Sequence, residues 1–176
     1  PTPHAARVGA TSSGAQGDEI ATSAPMLTVF LARHAEKQAG ADPSLTPEGE
    51  ARAKVLAGTL ADAGITIVWT TDYARTRETA APLVERTGAD LRVYDPGQLA
   101  AFAETLRSLG GVHFVSGHSN TTPDLVARLG GEPGAPIDEV REYDRLYRIN
   151  LYKDGRVESD QRRYGRRTPL IKQHGS

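Results

Sequence analysis

The chain alternates short apolar runs with longer amphipathic segments. The run "MLTVFLA", from Met26, is apolar almost throughout and contains β-branched and aromatic residues, which is typical of a strand covered on both faces. In the amphipathic segment that follows, Thr46 can cap a helix, Pro47 suits its first turn and Gly64 can end it. The helix face predicted to pack on a sheet comprises Val55, Leu56, Thr59, Leu60 and Ala63.

The same alternation continues along the chain. "ITIVWT" predicts a second strand, and "YARTRETAAPLVERTG" predicts a helix that is bent or broken near Pro82. "LRVY" and "VHFVS" predict two further strands, each followed by a helical segment, and two strand-like segments around Asp154-Gly155 predict a β-hairpin. This order predicts an α/β fold: a three-layer α/β/α sandwich with a mainly parallel sheet, helices on both faces and a C-terminal β-hairpin.

Composition divides the chain into two parts. Residues 1–25 are rich in Gly, Ala, Ser, Thr and Pro, and have too little apolar surface to offset their ordering entropy, so they predict a flexible tail. Residues 26–176 predict a single domain. The net charge of −1 and the lack of a long apolar run predict neither a nucleic-acid partner nor a membrane span. We expect a soluble protein, either cytoplasmic or exported after removal of an N-terminal signal.

Arginine and histidine residues follow three of the predicted parallel strands. Arg33 and His34 follow the first strand, Arg75 follows the second and His118 follows the fourth. Because the carboxyl ends of parallel strands meet at one edge of a sheet, these side chains can converge. Guanidinium groups match phosphate oxygens, and a neutral imidazole can attack phosphorus. We therefore predict a phosphate site built from these two arginines and two histidines. The sequence contains no cysteine, which excludes a thiol nucleophile.

Four motifs occur in order along the chain: Arg33-His34 after a strand, "LTPEG" from Leu45 to Gly49, "TTDYARTRETA", and "GHS" from Gly117 to Ser119. Together they resemble the histidine phosphatase superfamily, also called the phosphoglycerate mutase-like family, and their order is closest to its short SixA-like members. The resemblance implies that His34 is the nucleophile that becomes phosphorylated and that no cofactor is needed. It implies that Arg33, Arg75 and His118 bind the phosphoryl group.

The chain departs from the family at the general acid that protonates the leaving group. Larger members carry this residue in a long insertion between the segments that match Arg75 and His118, and the connection here is short. Other members place an aspartate directly after the second histidine, where this chain has Ser119. Glu36 is assigned as catalytic with His34 and His118, although spacing does not decide between the candidates. These are Glu36, Glu104 and Asp124.

Three functions fit these residues. The first is a metal-independent phosphatase that hydrolyses a phosphomonoester or phosphohistidine, with a phosphorylated small molecule or a phosphoprotein as its substrate. The second is a module that binds a phosphorylated ligand in the same pocket without turnover. The third is a metallohydrolase with His34, Glu36 and His118 as metal ligands, which two adjacent arginines disfavour because they repel a cation.

Two other residues near these motifs are assigned structural roles. Arg77 lies two residues after Arg75 and points to a different helical face, so we predict a surface ion pair for it. His113 alternates with Val112 and Phe114 in a buried-looking strand, so we predict that it packs in the core or at an edge.

Overall fold

The computed structural model describes residues 23–168. The predicted tail, residues 1–25, lies outside these residues except for its last three, so the division into tail and domain stays a prediction. In chain order the elements are β1 (Leu27–Arg33), α1 (Pro47–Leu60), β2 (Ile67–Thr70), α2 (Ala74–Thr87), β3 (Asp90–Val93), α3 (Leu99–Leu109), β4 (Gly111–Gly117), α4 (Thr121–Arg128), β5 (Arg145–Leu151) and β6 (Val157–Arg163).

One mixed sheet connects all six strands in the order β3-β2-β4-β1-β5-β6. Strands β1 to β4 are parallel, and β5 and β6 form the predicted antiparallel hairpin. The register of β1 with β4 places Arg33 beside Gly117 at the carboxyl edge, and the His34 amide donates to the Gly117 carbonyl at 2.8 Å. This pairing brings His34 and His118 to neighbouring strand ends.

Two apolar clusters, one on each face of the sheet, hold the layers together. On one face α1 and α2 bury Leu56 and Leu83 against the sheet, and on the other α3 and α4 bury Phe102 and Leu125. Strand β1 contributes to both clusters, which explains its nearly continuous apolar sequence. The predicted α/β/α sandwich with a C-terminal hairpin is confirmed.

The face of α1 that packs inward differs from the predicted one. Leu56 and Leu60 are buried as predicted, but Val55 is 45% exposed and Thr59 faces solvent. The buried stripe keeps the helical period and includes the small residues Gly49, Ala53 and Ala57, which allow close approach to neighbouring elements, as well as the long side chain of Arg52. Its members are Gly49, Arg52, Ala53, Leu56, Ala57 and Leu60.

Two further predictions concern single residues. A helix bent or broken near Pro82 was predicted, and α2 runs unbroken through Pro82, so a break there is wrong while a bend stays a prediction. The missing proline N–H costs the helix one hydrogen bond without ending it. His113 is fully buried in β4, as predicted, and its Nδ1 accepts a hydrogen bond from Trp69 Nε1 at 3.0 Å. Its Nε2 then donates to the Gly110 carbonyl at 2.6 Å, so both ring nitrogens are used structurally.

Candidate active site

Arg33 ends β1 and is buried at the carboxyl edge of the sheet, with 2% of its surface exposed. Its Nη1 donates to the carbonyls of Glu139 at 2.9 Å and Glu142 at 3.0 Å, in the loop before β5. Its Nη2 lies 3.4 Å from His34 Nε2. The Nε–H is buried without a hydrogen-bond partner among residues 23–168. One side of the guanidinium is thus fixed by the loop, while other donors stay available to an anion.

The His34 ring is held in one tautomer. Its Nδ1 lies 2.8 Å from the Ala35 carbonyl, which only accepts, so Nδ1 carries the proton and Nε2 carries the lone pair. The pKa of His34 is lowered to about 3, mainly by burial and in smaller part by the charges of Arg33 and Arg75 and by the nearby His118, against the raising effect of the Ala35 hydrogen bond. His34 is therefore neutral at pH 7, which is the nucleophilic form of an imidazole.

His118 lies beside His34, with 5.8 Å between the ring centroids. Its Nε2 is 2.8 Å from the Thr71 hydroxyl, which is in turn 2.8 Å from the Thr76 hydroxyl. Burial lowers the pKa of His118 to about 4, with smaller effects from Arg75 and Arg33. Two hydrogen-bonded threonine hydroxyls thus orient the His118 ring through its Nε2 atom.

The two lowered pKa values predict how the unliganded protein responds to acid. We expect His34 to stay neutral, with its proton on Nδ1, from pH 8 down to pH 5, which ¹⁵N chemical shifts of the ring would report. In the unfolded chain each of the two histidines becomes protonated near pH 6.5. In the folded chain His34 becomes protonated near pH 3 and His118 near pH 4. Stability therefore falls as the pH drops from 6.5 toward 4, by about 1 kcal/mol per pH unit for each histidine. A doubly protonated His34 at pH 6 would contradict this account.

Arg75 lies in the first turn of α2, where the strand β2 leads into the helix. Its guanidinium carbon is 4.5 Å from the ring centre of Tyr73, and its Nε–H is buried without a partner among the described residues. Arg77 instead forms an exposed ion pair with Asp72 at 2.7 Å, as predicted. The structure therefore separates the two arginines, and Arg75 is the one that lies with the histidines.

The "LTPEG" motif fixes the segment that follows His34. Thr46 caps α1 by accepting a hydrogen bond from the Gly49 amide at 3.1 Å, and the Thr46 amide donates to the Glu36 carbonyl at 2.9 Å. A Cβ atom at Gly49 would lie 2.1 Å from that same carbonyl oxygen, so only glycine fits there. The motif thus holds the start of α1 against the chain next to the candidate nucleophile.

Glu36 takes part in an ion pair with Arg52 of α1. The two carboxylate oxygens accept from Arg52 Nε at 2.7 Å and from Nη2 at 3.1 Å. Arg52 also donates to the carbonyls of Tyr164 and Arg166, so the pair links α1 to the C-terminal segment. These contacts favour a structural role for Glu36, and its role as the acid stays a prediction.

The other two candidate acids have partners of their own. Glu104 pairs with Arg107 at 2.8 Å on α3, and Asp124 pairs with Arg128 at 3.1 Å on α4. Neither carboxylate has a described contact with either histidine, so the structure does not assign the general acid.

Sequence reasoning missed four features that contact the site. Thr71 and Tyr73 both lie inside the motif "TTDYARTRETA", but no spacing rule marks their roles. Tyr143 and the loop carbonyls that hold Arg33 lie in a segment with no periodic pattern. That loop is fixed by the buried Glu142, which forms an ion pair with Arg145 at 2.7 Å. A tertiary contact of this kind leaves no signal in local sequence.

Two features are absent from residues 23–168. Within that range, no group of three or more histidine, aspartate or glutamate side chains is arranged to hold a metal ion. No helix of the described part of the chain is long and apolar enough to cross a membrane.

Comparison with known proteins finds similarity to the histidine phosphatase superfamily over part of the chain. Residues 29–111 match the family model of the histidine phosphatase superfamily (branch 1). Over 79 residues the chain is 38% identical to the probable phosphoglycerate mutase GpmB of Serratia proteamaculans (strain 568). The matched segment covers 40% of this chain and 36% of that protein. The chain thus spans about a third of the curated relative that it matches.

Solved structures share the fold at low sequence identity. The protein histidine phosphatase SixA complexed with tungstate has a TM-score of 0.62 at 19% identity, covering 78% of this chain and 97% of that one. A putative alpha-ribazole-5'-P phosphatase from Escherichia coli has a TM-score of 0.62 at 15% identity, covering 80% and 97%. The fold is that of the histidine phosphatases.

The resemblance to the histidine phosphatase superfamily is therefore confirmed. The matched segment contains Arg33, His34 and Arg75 but ends before His118. The placement of His118 in the candidate site rests on the sheet register and on its distance from His34.

Proposed function

We propose that the protein is a phosphatase that hydrolyses a phosphomonoester or a phosphohistidine through a covalent phosphohistidine on His34. One observation carries the proposal: His34 Nδ1 donates to Ala35, which leaves the Nε2 lone pair 3.4 Å from Arg33 Nη2. An imidazole held in this tautomer presents a nucleophilic nitrogen beside a phosphate-binding cation. The family match and the shared fold support the same reaction.

Two arginines bind the substrate in this proposal. Arg33 and Arg75 each have a buried Nε–H without a partner among the described residues, and a phosphoryl dianion would satisfy both. Their charges also oppose the negative charge that spreads over the equatorial oxygens in the transition state. The same groups therefore serve in binding and in catalysis.

The reaction consists of two displacements at phosphorus. His34 Nε2 attacks phosphorus, the bond to the leaving oxygen or nitrogen breaks, and its electron pair goes to the leaving group. Water then attacks phosphorus, the bond to Nε2 breaks, and inorganic phosphate leaves with His34 neutral again. Negative charge beside an imidazole favours its protonated form, so His118 is assigned to bind the phosphoryl oxygens.

The unassigned acid bears on the choice of substrate. An imidazole is a better leaving group than an alkoxide, so a phosphohistidine makes less demand on a general acid than an alkyl phosphate does. This favours a phosphohistidine or a phosphoester with a good leaving group. A module that binds without turnover is the second candidate, because none of the three carboxylates has a described contact with the histidines.

A turnover screen of the purified protein tests the proposal. The substrates are a phosphohistidine peptide, sugar phosphates and nucleotides, each assayed before and after exhaustive chelation of metal ions, with His34→Ala protein as the control. We expect phosphate release from at least one substrate, unaffected by chelation and absent from the control. Tight phosphate binding without turnover would instead support the binding module, and activity lost on chelation and restored by zinc would support a metallohydrolase.

A further inference from the structure

A tyrosine lies beside each histidine of the candidate site. Tyr73 is next to His118, with 5.2 Å between ring centroids and the planes nearly perpendicular. Arg75 covers part of the same tyrosine ring. Tyr73 is still 38% exposed, and it forms one wall of an open groove of about 560 Å³. That groove is lined by Asp72, Tyr73, Val93, Tyr94, Asp95 and Pro96.

Tyr143 has the matching position at the other histidine. Its ring centroid is 6.2 Å from that of His34, and the Arg33 guanidinium carbon is 4.2 Å from its ring centre. It lines a second groove, of about 280 Å³, together with Arg141 and Arg166. Each tyrosine therefore contacts a histidine and an arginine of the candidate site and also lines a groove.

The arginine contacts give both rings a fixed position. A guanidinium over an aromatic ring is attracted by the ring quadrupole, and here each guanidinium is itself part of the anion site. The ring surface that the arginine leaves uncovered is available to whatever group is attached to a bound phosphorus. Aromatic rings interact best with other planar rings, in offset or edge-to-face arrangements.

We infer that Tyr73 and Tyr143 are specificity-determining residues that favour substrates whose phosphoryl group is carried by a planar ring, such as the imidazole of phosphohistidine or an aryl group. This inference rests on the proposed function, since it concerns the group attached to phosphorus at the same site. Each ring is expected to contribute a preference of roughly 2- to 10-fold.

Binding of non-hydrolysable phosphonates tests the inference without turnover. The wild-type protein is expected to bind phenylphosphonate more tightly than cyclohexylphosphonate, which has a ring of similar size that is not planar, and more tightly than methylphosphonate. Tyr73→Leu and Tyr143→Leu should each reduce the phenyl-to-methyl ratio of affinities roughly 2- to 10-fold. Tyr73→Phe and Tyr143→Phe should keep it, because they keep the ring.

Tyr152 provides the matched control. It also stacks with an arginine, Arg156, at 4.1 Å, but it follows Leu151, which pairs with Leu27 at the opposite end of the sheet from His34. Tyr152→Leu should leave all three phosphonate affinities unchanged.

The possible results separate this inference from the proposed function. If no phosphonate binds the wild-type protein, the phosphate site itself is refuted, and this inference falls with it. If the three phosphonates bind equally, or if both leucine variants keep the wild-type ratio, only the role of the tyrosines is refuted. The comparison of phenyl- and cyclohexylphosphonate uses wild-type protein, so equal binding of the two refutes the inference even if a leucine variant fails to fold.

Discussion

Replacing His34 with alanine is expected to lower kcat by about 10⁴-fold or more on every substrate that the wild-type protein hydrolyses, as loss of a covalent nucleophile does. The neighbouring imidazole is poorly placed to substitute, because His118 Nε2 is engaged by the Thr71 hydroxyl at 2.8 Å. Steady-state kinetics at saturating substrate would measure the loss.

The same variant is expected to keep its fold and its affinity for phosphate. The described hydrogen bonds of the His34 ring are with its neighbours Ala35 and Arg33, so truncation removes no contact between distant elements through them. Circular dichroism and phosphate binding are therefore the controls. A His34→Ala protein that retains a tenth or more of the wild-type kcat would rule out the covalent mechanism.

The second large effect is expected from Arg33→Lys, which keeps the charge but loses the planar fork of donors. We expect kcat/KM to fall by about 10²- to 10³-fold, the usual loss when a preorganised donor to the transition state is removed. The lysine ammonium also ends one bond short of the Nη1 position, from which Arg33 donates to the carbonyls of Glu139 and Glu142. A buried carbonyl left without a donor costs about 1 to 3 kcal/mol, so the variant should unfold at a lower temperature.

Arg77→Lys is the matched control for this substitution. Arg77 has the same side chain and lies close to the site in sequence, but its described partner is the exposed Asp72. Because an exposed ion pair contributes about 1 kcal/mol or less, we expect kcat/KM and the unfolding temperature to stay close to wild type. An Arg33→Lys protein with the kcat/KM of the wild type would mean that Arg33 acts only through its charge, and equal losses in the two variants would mean that the loss is not specific to Arg33.

The strand ends were predictable from sequence because they follow from local patterns. The apolar run of β1 requires burial on both faces, and such strands lie in the centre of a sheet with their carboxyl ends at one edge. Arg33, His34 and His118 take their positions from this rule alone. Arg75 was distinguished from Arg77 by the family resemblance, and the structure places the two in different surroundings.

The surroundings of these residues were not predictable, because distant contacts decide them. Glu36 pairs with Arg52, a residue of the next helix that the sequence pattern did not mark as buried. Val55 is exposed because small residues on the other face of α1 allow closer packing. The carbonyls that hold Arg33 are positioned by Glu142, whose charge is balanced by Arg145 of β5.

The most direct test of the account is to trap the phosphorylated protein. Wild-type protein would be mixed with substrate carrying a labelled phosphoryl group, quenched within milliseconds in alkali, and mapped by peptide. We predict a phosphate that is labile in acid and stable in base, attached to Nε2 of His34, because Nδ1 is occupied by its hydrogen bond to Ala35. Turnover without any such label, or label on Nδ1 or on His118, would contradict the account.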